Sequence, residues 1–161
     1  MEYRSSSADI EGYTPHPDER IESYVENGYW RNRTLHEVLD ESAERHPDRA
    51  LVVGPHGSTS YGEVVERSKR AAASLAGELG LERHDRVVVQ LTNRVEFVEL
   101  LFACSRVGVV PVMMLPRHRA AEARHVVELT DARAYVTLGS EEGGFDFVGM
   151  VDEVADELLL A

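Results

Sequence analysis

Positive charge is concentrated in the segment Pro116-Arg117-His118-Arg119, which could bind an anion. The segment follows a predicted strand, and ligands of open parallel sheets bind at the carboxyl ends of the strands. The two arginines that flank His118 could therefore meet a carboxylate or a phosphate. Arginines beside acidic residues more often form surface ion pairs, so the sequence favours pairing with Glu122 or Glu128 over ligand contact.

Two other segments could hold an anion through backbone N–H groups. Thr92-Asn93 stands where a predicted buried strand turns into a helix, and the first N–H groups of a helix bind anions. Asparagine is also a preferred N-cap, so we predict that Asn93 caps this helix and does nothing more. Gly143-Gly144 has no lysine or hydroxyl residue after it. Because the sequence contains neither common glycine-rich phosphate motif, we predict a flexible connector there.

The histidines and the cysteine predict neither a metal site nor a nucleophile. Only His118 and His125 could share a helical face, and no carboxylate is placed to complete a metal site with them. Cys104 lies on an apolar helical stripe, which is typical of a small core residue. No G-x-S-x-G motif is present. The residues by themselves therefore predict no catalytic, cofactor-binding or metal-binding residue.

Composition predicts one acidic globular domain. The chain has 161 residues, of which 43% are hydrophobic and 29% charged, and its net charge is −12. Nucleic acids and anionic membranes are disfavoured as partners, because binding either requires basic residues. Lys69 is the single lysine, and an acidic, lysine-poor composition is typical of proteins from a high-salt cytoplasm. An ordinary acidic protein from an arginine-biased genome is the alternative.

The sequence favours a reducing cytoplasm as the setting. With a single cysteine, the chain can form no intrachain disulfide. The first residues contain no apolar signal segment, and no stretch reaches the roughly 18 apolar residues of a membrane-spanning helix.

Residues 1–30 are predicted to be an arm that lies across the domain, because Pro15 and Pro17 interrupt regular structure. A capping box of Thr34 and Glu37 then starts a helix. Its apolar positions recur at helical spacing until His46-Pro47 and are Leu35, Val38, Leu39 and Ala43.

A short hairpin and a second capped helix follow. Residues 50–54 and 58–61 read as two strands joined by a tight turn. Ser60 and Glu63 repeat the capping-box pattern, and Gly80 is predicted to end the helix. The predicted core face of this helix consists of Val64, Ser68, Ala71, Ala72, Leu75 and Leu79.

From Arg86 onward the pattern alternates as β-α-β-α-β-α. The predicted strands are residues 86–91, 109–115 and 134–138, and the last helix carries Val151, Val154 and Leu158. Because Pro111 lacks an N–H, either the second strand begins there or its donor side is unpaired. Such alternation predicts an α/β fold, a Rossmann-like layer of parallel strands with crossover helices.

Several segments resemble the adenylate-forming superfamily. The stretch "SYGEVVERSKRAAASLAGELGL", followed by "DRVVV", is similar to the superfamily as a whole. The arm "GYTPHPDERIESYVENGYW" and the stretches "VVVQLTNRVEF" and "PVMMLPRHR" resemble the aryl-acid branch, chiefly 2,3-dihydroxybenzoate–AMP ligases. The chain departs from that pattern at Thr92, where proline is usual, and at His16, where tryptophan is usual.

The resemblance implies that residues 31–161 form the first α/β subdomain of an AMP-binding domain, truncated before the phosphate loop. It implies ATP and Mg²⁺ as cofactors of the full-length enzyme, an aryl acid as substrate and an aryl carrier protein as acceptor, in siderophore-type biosynthesis. The phosphate loop, acid pocket and catalytic lysine of such enzymes would lie beyond Ala161, so this chain alone is expected neither to hold the cofactors nor to catalyse. The alternatives are a non-catalytic interaction module and a fragment of an acyl-CoA ligase.

Overall fold

A computed structural model describes residues 14–55, 57–139 and 144–159, with side chains to residue 156. The first element is helix α1 (Asp18–Glu26). The prediction that prolines keep the arm irregular was wrong. Pro17 precedes the helix, and its carbonyl accepts hydrogen bonds from the N–H groups of Arg20 and Ile21. A proline is tolerated at a helix start because the N–H that it lacks would have no partner there.

Helix α2 (Leu35–Arg45) begins with the predicted capping box. The Glu37 carboxylate accepts a 2.7 Å hydrogen bond from the Thr34 N–H, and the Thr34 hydroxyl accepts one from the Glu37 N–H. Leu39 and Ala43 are buried as predicted, but Leu35 and Val38 are 59% and 45% exposed. The helix thus packs a narrower stripe than its apolar pattern indicates.

Strands β1 (Ala50–Gly54) and β2 (Gly57–Ser60) form the predicted antiparallel hairpin, and α3 (Tyr61–Gly77) follows at once. Ser60 and Glu63 form the second capping box. The helical pattern predicts Leu79 on the core face of α3, which is wrong, because Leu79 is 53% exposed. The helix has already ended at Gly77, and the positive φ of Gly80 turns the chain so that Leu81 is buried instead.

The other three strands form the predicted parallel sheet. They are β3 (Arg86–Gln90), β4 (Val110–Met113) and β5 (Ala134–Thr137), in the order β4-β3-β5. The connecting helices are α4 (Val95–Val107) and α5 (Ala120–Thr130), and α6 (Phe147–Leu159) follows β5. The side chain of Leu158, predicted for the apolar face of α6, lies outside the described residues.

The central strand β3 separates two apolar cores. Val87 and Val89 pack with α3 and α4 on one face, whereas Val88 packs with α5 and α6 on the other. Burial on both faces explains the continuous apolar run of β3. None of the described helices combines the length and the apolar character needed to cross a bilayer.

Pro111 lies inside β4, and its nitrogen points to the side of the strand that pairs with no other strand. The N–H groups of Val110 and Met114 donate to carbonyls of Asp85 and Val89 at 2.8 and 2.9 Å. Because bonding alternates along a parallel strand, the nitrogen of Pro111 faces the outer edge. A proline costs nothing at an edge where no ladder hydrogen bond is made.

Asn93 does not cap α4, which corrects the prediction. The helix begins one residue later than expected, so that Arg94 is the N-cap residue and makes no side-chain cap hydrogen bond. Arg94 instead pairs with Glu96 at 2.8 Å. Gly108 ends α4 as predicted, with a φ of +84°.

Candidate functional site at the carboxyl edge of the sheet

Gln90, the last residue of β3, is fully buried and links β3 to β5 and to the turn that follows β4. Its amide nitrogen donates to the carbonyls of Leu115 and His118, at 3.0 and 3.1 Å. Its amide oxygen accepts a 2.7 Å hydrogen bond from the Tyr135 hydroxyl. Each side-chain polar atom of Gln90 thus has a partner, as burial requires. Burial raises the pKa of Tyr135 to about 12, so this hydroxyl remains a donor at neutral pH.

The carbonyls that Gln90 holds belong to the basic turn 115–119. The His118 N–H donates to the Leu115 carbonyl at 3.0 Å. The Arg119 guanidinium donates to the carbonyls of Pro116 and His118, at 3.0 and 2.8 Å, and lies 3.9 Å from the centre of the Phe145 ring. Hydrogen bonds from Gln90 and from Arg119 therefore hold the turn in place.

The predicted ion pairing of this turn is wrong for Arg119. Its guanidinium binds carbonyls and an aromatic ring, and the Glu122 carboxylate accepts a hydrogen bond from the Arg119 backbone N–H at 3.0 Å. That bond caps α5 and holds the pKa of Glu122 below its usual value. Arg117 is exposed on the surface of the turn. The turn thus uses Arg119 to fix its own shape.

His118 and His125, the only two histidines whose spacing allowed them to share a helical face, do not share one. His118 lies in the turn before α5, whereas His125 is exposed on the helix. Within the described ranges no group of three His, Cys, Asp or Glu residues is placed to hold a metal ion. Of the predicted glycine connector, Gly144 has a φ of +74°, and Gly143 lies outside the described residues.

Cys104 is a core residue, as predicted. It has no exposed surface and packs in the cluster between α4 and β3. Burial raises the pKa of its thiol to about 11, so the reactive thiolate is not formed near neutral pH.

A groove of about 430 Å³ lies beside the same sheet edge, lined by Ala71, Leu91, Arg94, Glu96, Glu99, Leu100 and residues 136–139. Its charged groups already have partners within the chain. Arg94 pairs with Glu96, and Glu99 accepts a 3.1 Å hydrogen bond from Arg67. The groove therefore offers paired charges and apolar side chains to a ligand.

A second polar contact joins helices that lie far apart in sequence. Arg106 of α4 donates to both carboxylate oxygens of Asp40 of α2, at 2.9 and 2.5 Å, and to the buried Ser68 hydroxyl of α3. The hydrogen bond from Arg106 holds the pKa of Asp40 below its usual value. No sequence pattern indicates this contact or the Gln90 network, because the partners are 25 to 66 positions apart.

This fold and these residues belong to a known class of protein. The AMP-binding enzyme family matches residues 39–159, so the chain is a member of that family. It is 43% identical to the salicyl-AMP ligase/salicyl-S-ArCP synthetase of Mycobacterium tuberculosis, over 94% of this chain and 28% of the relative. It is 38% identical to the 2,3-dihydroxybenzoate-AMP ligase of Bacillus subtilis, over 92% of this chain and 27% of the relative.

Solved structures agree with the family assignment. The apo structure of Mycobacterium smegmatis MbtA matches with a TM-score of 0.76 and 40% identity, over 92% of this chain and 26% of that one. A benzoate CoA ligase from Burkholderia xenovorans LB400, at 23% identity and a TM-score of 0.68 over 77% of this chain and 24% of that one, shares the fold. The chain spans about a quarter of the length of the relatives that it matches.

The family uses ATP and Mg²⁺, but the described residues do not by themselves fit these groups. A triphosphate needs free cations and backbone donors, whereas the arginines beside the sheet-edge groove pair with glutamates. Mg²⁺ needs clustered oxygen ligands, and the described part of the chain brings no three acidic or histidine residues together for it. We therefore assign no residue of this chain to either group.

Proposed function

We propose that this chain provides the first α/β subdomain, residues 31–161, and the N-terminal arm, residues 1–30, of an aryl-acid adenylating ligase. The observation that carries the proposal is the 43% identity to a salicyl-AMP ligase, which covers 94% of the chain. That match reaches into the arm, beyond the 39–159 region that the whole family shares. The arm is also where the sequence resembles the aryl-acid branch rather than the superfamily at large.

The proposed ligase joins an aryl acid to ATP, giving aryl-AMP and pyrophosphate, and then transfers the aryl group to an aryl carrier protein, in siderophore-type biosynthesis in the cytoplasm. The arm and the turn sequence resemble the aryl-acid branch, chiefly 2,3-dihydroxybenzoate–AMP ligases, so 2,3-dihydroxybenzoate is the first acid to test, although the departures at His16 and Thr92 loosen that assignment. Salicylate is the alternative to test, because relatives of both kinds match over more than nine tenths of the chain.

In this proposal the chain acts as a scaffold, and the rest of the ligase supplies the groups that bind ATP and Mg²⁺. The Gln90 network and the Arg106–Asp40 contact give the scaffold a fixed shape. We expect the 161-residue chain alone to adenylate no acid, since none of its described residues is placed to bind the triphosphate.

A chimera tests the proposal. The matched region of the Mycobacterium tuberculosis ligase is replaced by this chain, and exchange of labelled pyrophosphate into ATP is measured with 2,3-dihydroxybenzoate, salicylate and benzoate. We expect exchange that depends on a hydroxylated aryl acid. Val88→Asp, which places a charge in the fully buried central strand, is the inactive control.

Two outcomes would contradict the proposal. Exchange by the isolated chain would show that it carries its own active site. A folded chimera that is inactive with every acid would show that the chain is not an interchangeable ligase subdomain. If the isolated chain is then a cooperatively melting monomer, the non-catalytic interaction module is the better explanation.

A further inference from the structure

The face of β4 that points toward α4 is left partly uncovered. Pro111 and Met113 stand beside Val87 and Val89 in the parallel register, so their side chains share the face of the sheet that packs on α4. Val87 and Val89 are buried there, whereas Met113 is 57% exposed. Pro111 is half-buried, so Met113 is the part of this face that α4 leaves open.

The open face forms a shallow apolar depression, here called the β4 groove, lined by Val89, Phe97, Leu101, Pro111 and Met113. No charged or polar side chain is among these lining residues, in a chain that carries 29 acidic residues. An apolar surface of this kind is stabilised by covering it with other apolar groups. Its natural occupant is therefore an apolar protein segment, not an anion, a sugar or a nucleotide.

The backbone of β4 limits how that segment can bind. Pro111 removes a donor from the outer edge of the strand, so pairing of another strand along this edge would lack one ladder hydrogen bond. The groove lies on the face of the strand, not along its edge. Apolar side chains of a helix or loop that lies across β4 can pack on its surface.

We propose that the β4 groove packs against apolar side chains from the remainder of the ligase, and this inference rests on the proposed function. The related chain of the MbtA structure extends well beyond the matched region, since this chain covers only 26% of it. A segment from that remainder needs no association between molecules. A second copy of this chain is disfavoured, because two molecules of net charge −12 repel each other.

Cysteine labelling tests the occupant. Met113→Cys is introduced into the isolated chain and into the chimera described above, and maleimide modification is followed by peptide mass spectrometry. We expect rapid labelling in the isolated chain and labelling slower by about tenfold or more in the chimera. Cys104 contributes no background in either protein while folded, because it is fully buried. Leu129→Cys, on α5 at a position 73% exposed, is the matched control and should label equally in both proteins.

A charged substitution gives a second measurement. Met113→Glu should leave the melting temperature of the isolated chain unchanged and lower that of the chimera, whereas Leu129→Glu should affect neither protein. Equal labelling of the Met113→Cys variant in the two proteins, together with equal effects of Met113→Glu, would overturn the inference. Concentration-dependent protection of the introduced thiol in the isolated chain would also overturn it and would assign the groove to a second copy. A folded but inactive chimera refutes the proposed function, and the labelling comparison still decides the occupant of the groove.

Discussion

Gln90 and Met113 lie on adjacent strands of one sheet, but the polar side chain is buried and the apolar one is exposed. Gln90 is polar and has no exposed surface, yet every polar atom of its side chain is hydrogen-bonded within the chain. Met113 is apolar, yet more than half of its surface remains exposed. Gln90 finds all its hydrogen-bond partners within the 161 residues, whereas Met113 would be buried only if another apolar surface covered it.

The difference arises because an unsatisfied buried amide costs more free energy than an exposed apolar side chain. A buried amide without partners costs about 1–3 kcal/mol, so a folded chain must satisfy it internally. An exposed methionine side chain forfeits only the transfer free energy that burial would give, and nearly every protein surface contains such residues. A subdomain can therefore satisfy its own hydrogen bonds and still leave an apolar face for the rest of its enzyme.

An exchange of the two side chains tests this comparison most strongly. Gln90→Met keeps the side-chain shape and removes its hydrogen bonds from Leu115, His118 and Tyr135, so we expect the free energy of unfolding to fall by about 3 kcal/mol. Met113→Gln places a polar group on the open face and should change the free energy of unfolding by less than about 0.5 kcal/mol. Urea unfolding of the isolated chain, followed by circular dichroism, measures both changes. Similar effects at the two positions would contradict the comparison.

The contact between Arg106 and Asp40 extends the comparison to pH. The pKa of Asp40 is held below its usual value, mainly by the hydrogen bond from Arg106, so the stabilisation is present above the unfolded pKa of about 4 and is lost as pH falls through the folded pKa. Asp40→Asn should therefore lower the free energy of unfolding by about 1 kcal/mol at neutral pH, and this loss should become smaller toward about pH 3.

Unfolding curves of the wild type and of Asp40→Asn across that range check the sign of the effect. Asp152→Asn, an exposed position on α6, is the control variant and should stay close to the wild type throughout. A cost of Asp40→Asn that grows as the solution is acidified would show that the carboxylate does not stabilise the fold through Arg106.

The smallest expected effect concerns the acidic surface that surrounds both regions. Because salt screens repulsion among the excess carboxylates, we expect the chain to melt at a higher temperature in molar KCl than at low salt, by an amount equivalent to about 1 kcal/mol or less. Thermal melts at the two salt concentrations measure it. Greater stability at low salt would refute the proposed adaptation to a high-salt cytoplasm.

Local signals were read correctly from the sequence. The capping boxes at Thr34 and Ser60 form because each needs residues only three positions apart. The parallel sheet was predicted from the alternation of buried runs and amphipathic helices, and the burial of Cys104 from its place on an apolar stripe. The resemblance of the stretch "SYGEVVERSKRAAASLAGELGL", followed by "DRVVV", to the adenylate-forming superfamily predicted the family correctly.

Errors arose where two local signals competed or where a partner lay far away. The prolines of the arm predict irregular structure, but Pro17 starts α1 because its missing N–H is harmless at that position. Asn93 was a plausible cap, but the helix starts after Arg94. Arg119 was expected to pair with a glutamate, and Phe145, a residue distant in sequence, instead places an aromatic ring under its guanidinium.

The sequence by itself determined the order of the elements from α2 onward, the caps that start α2 and α3, the parallel sheet and membership of the adenylate-forming superfamily, because each depends on the types and spacing of neighbouring residues. Only the tertiary structure decided that Gln90 links β3 to β5 and to the turn that follows β4, that Arg119 holds its own turn and that Met113 faces an uncovered groove. Those outcomes depend on which distant segments meet in space, and no local pattern encodes that.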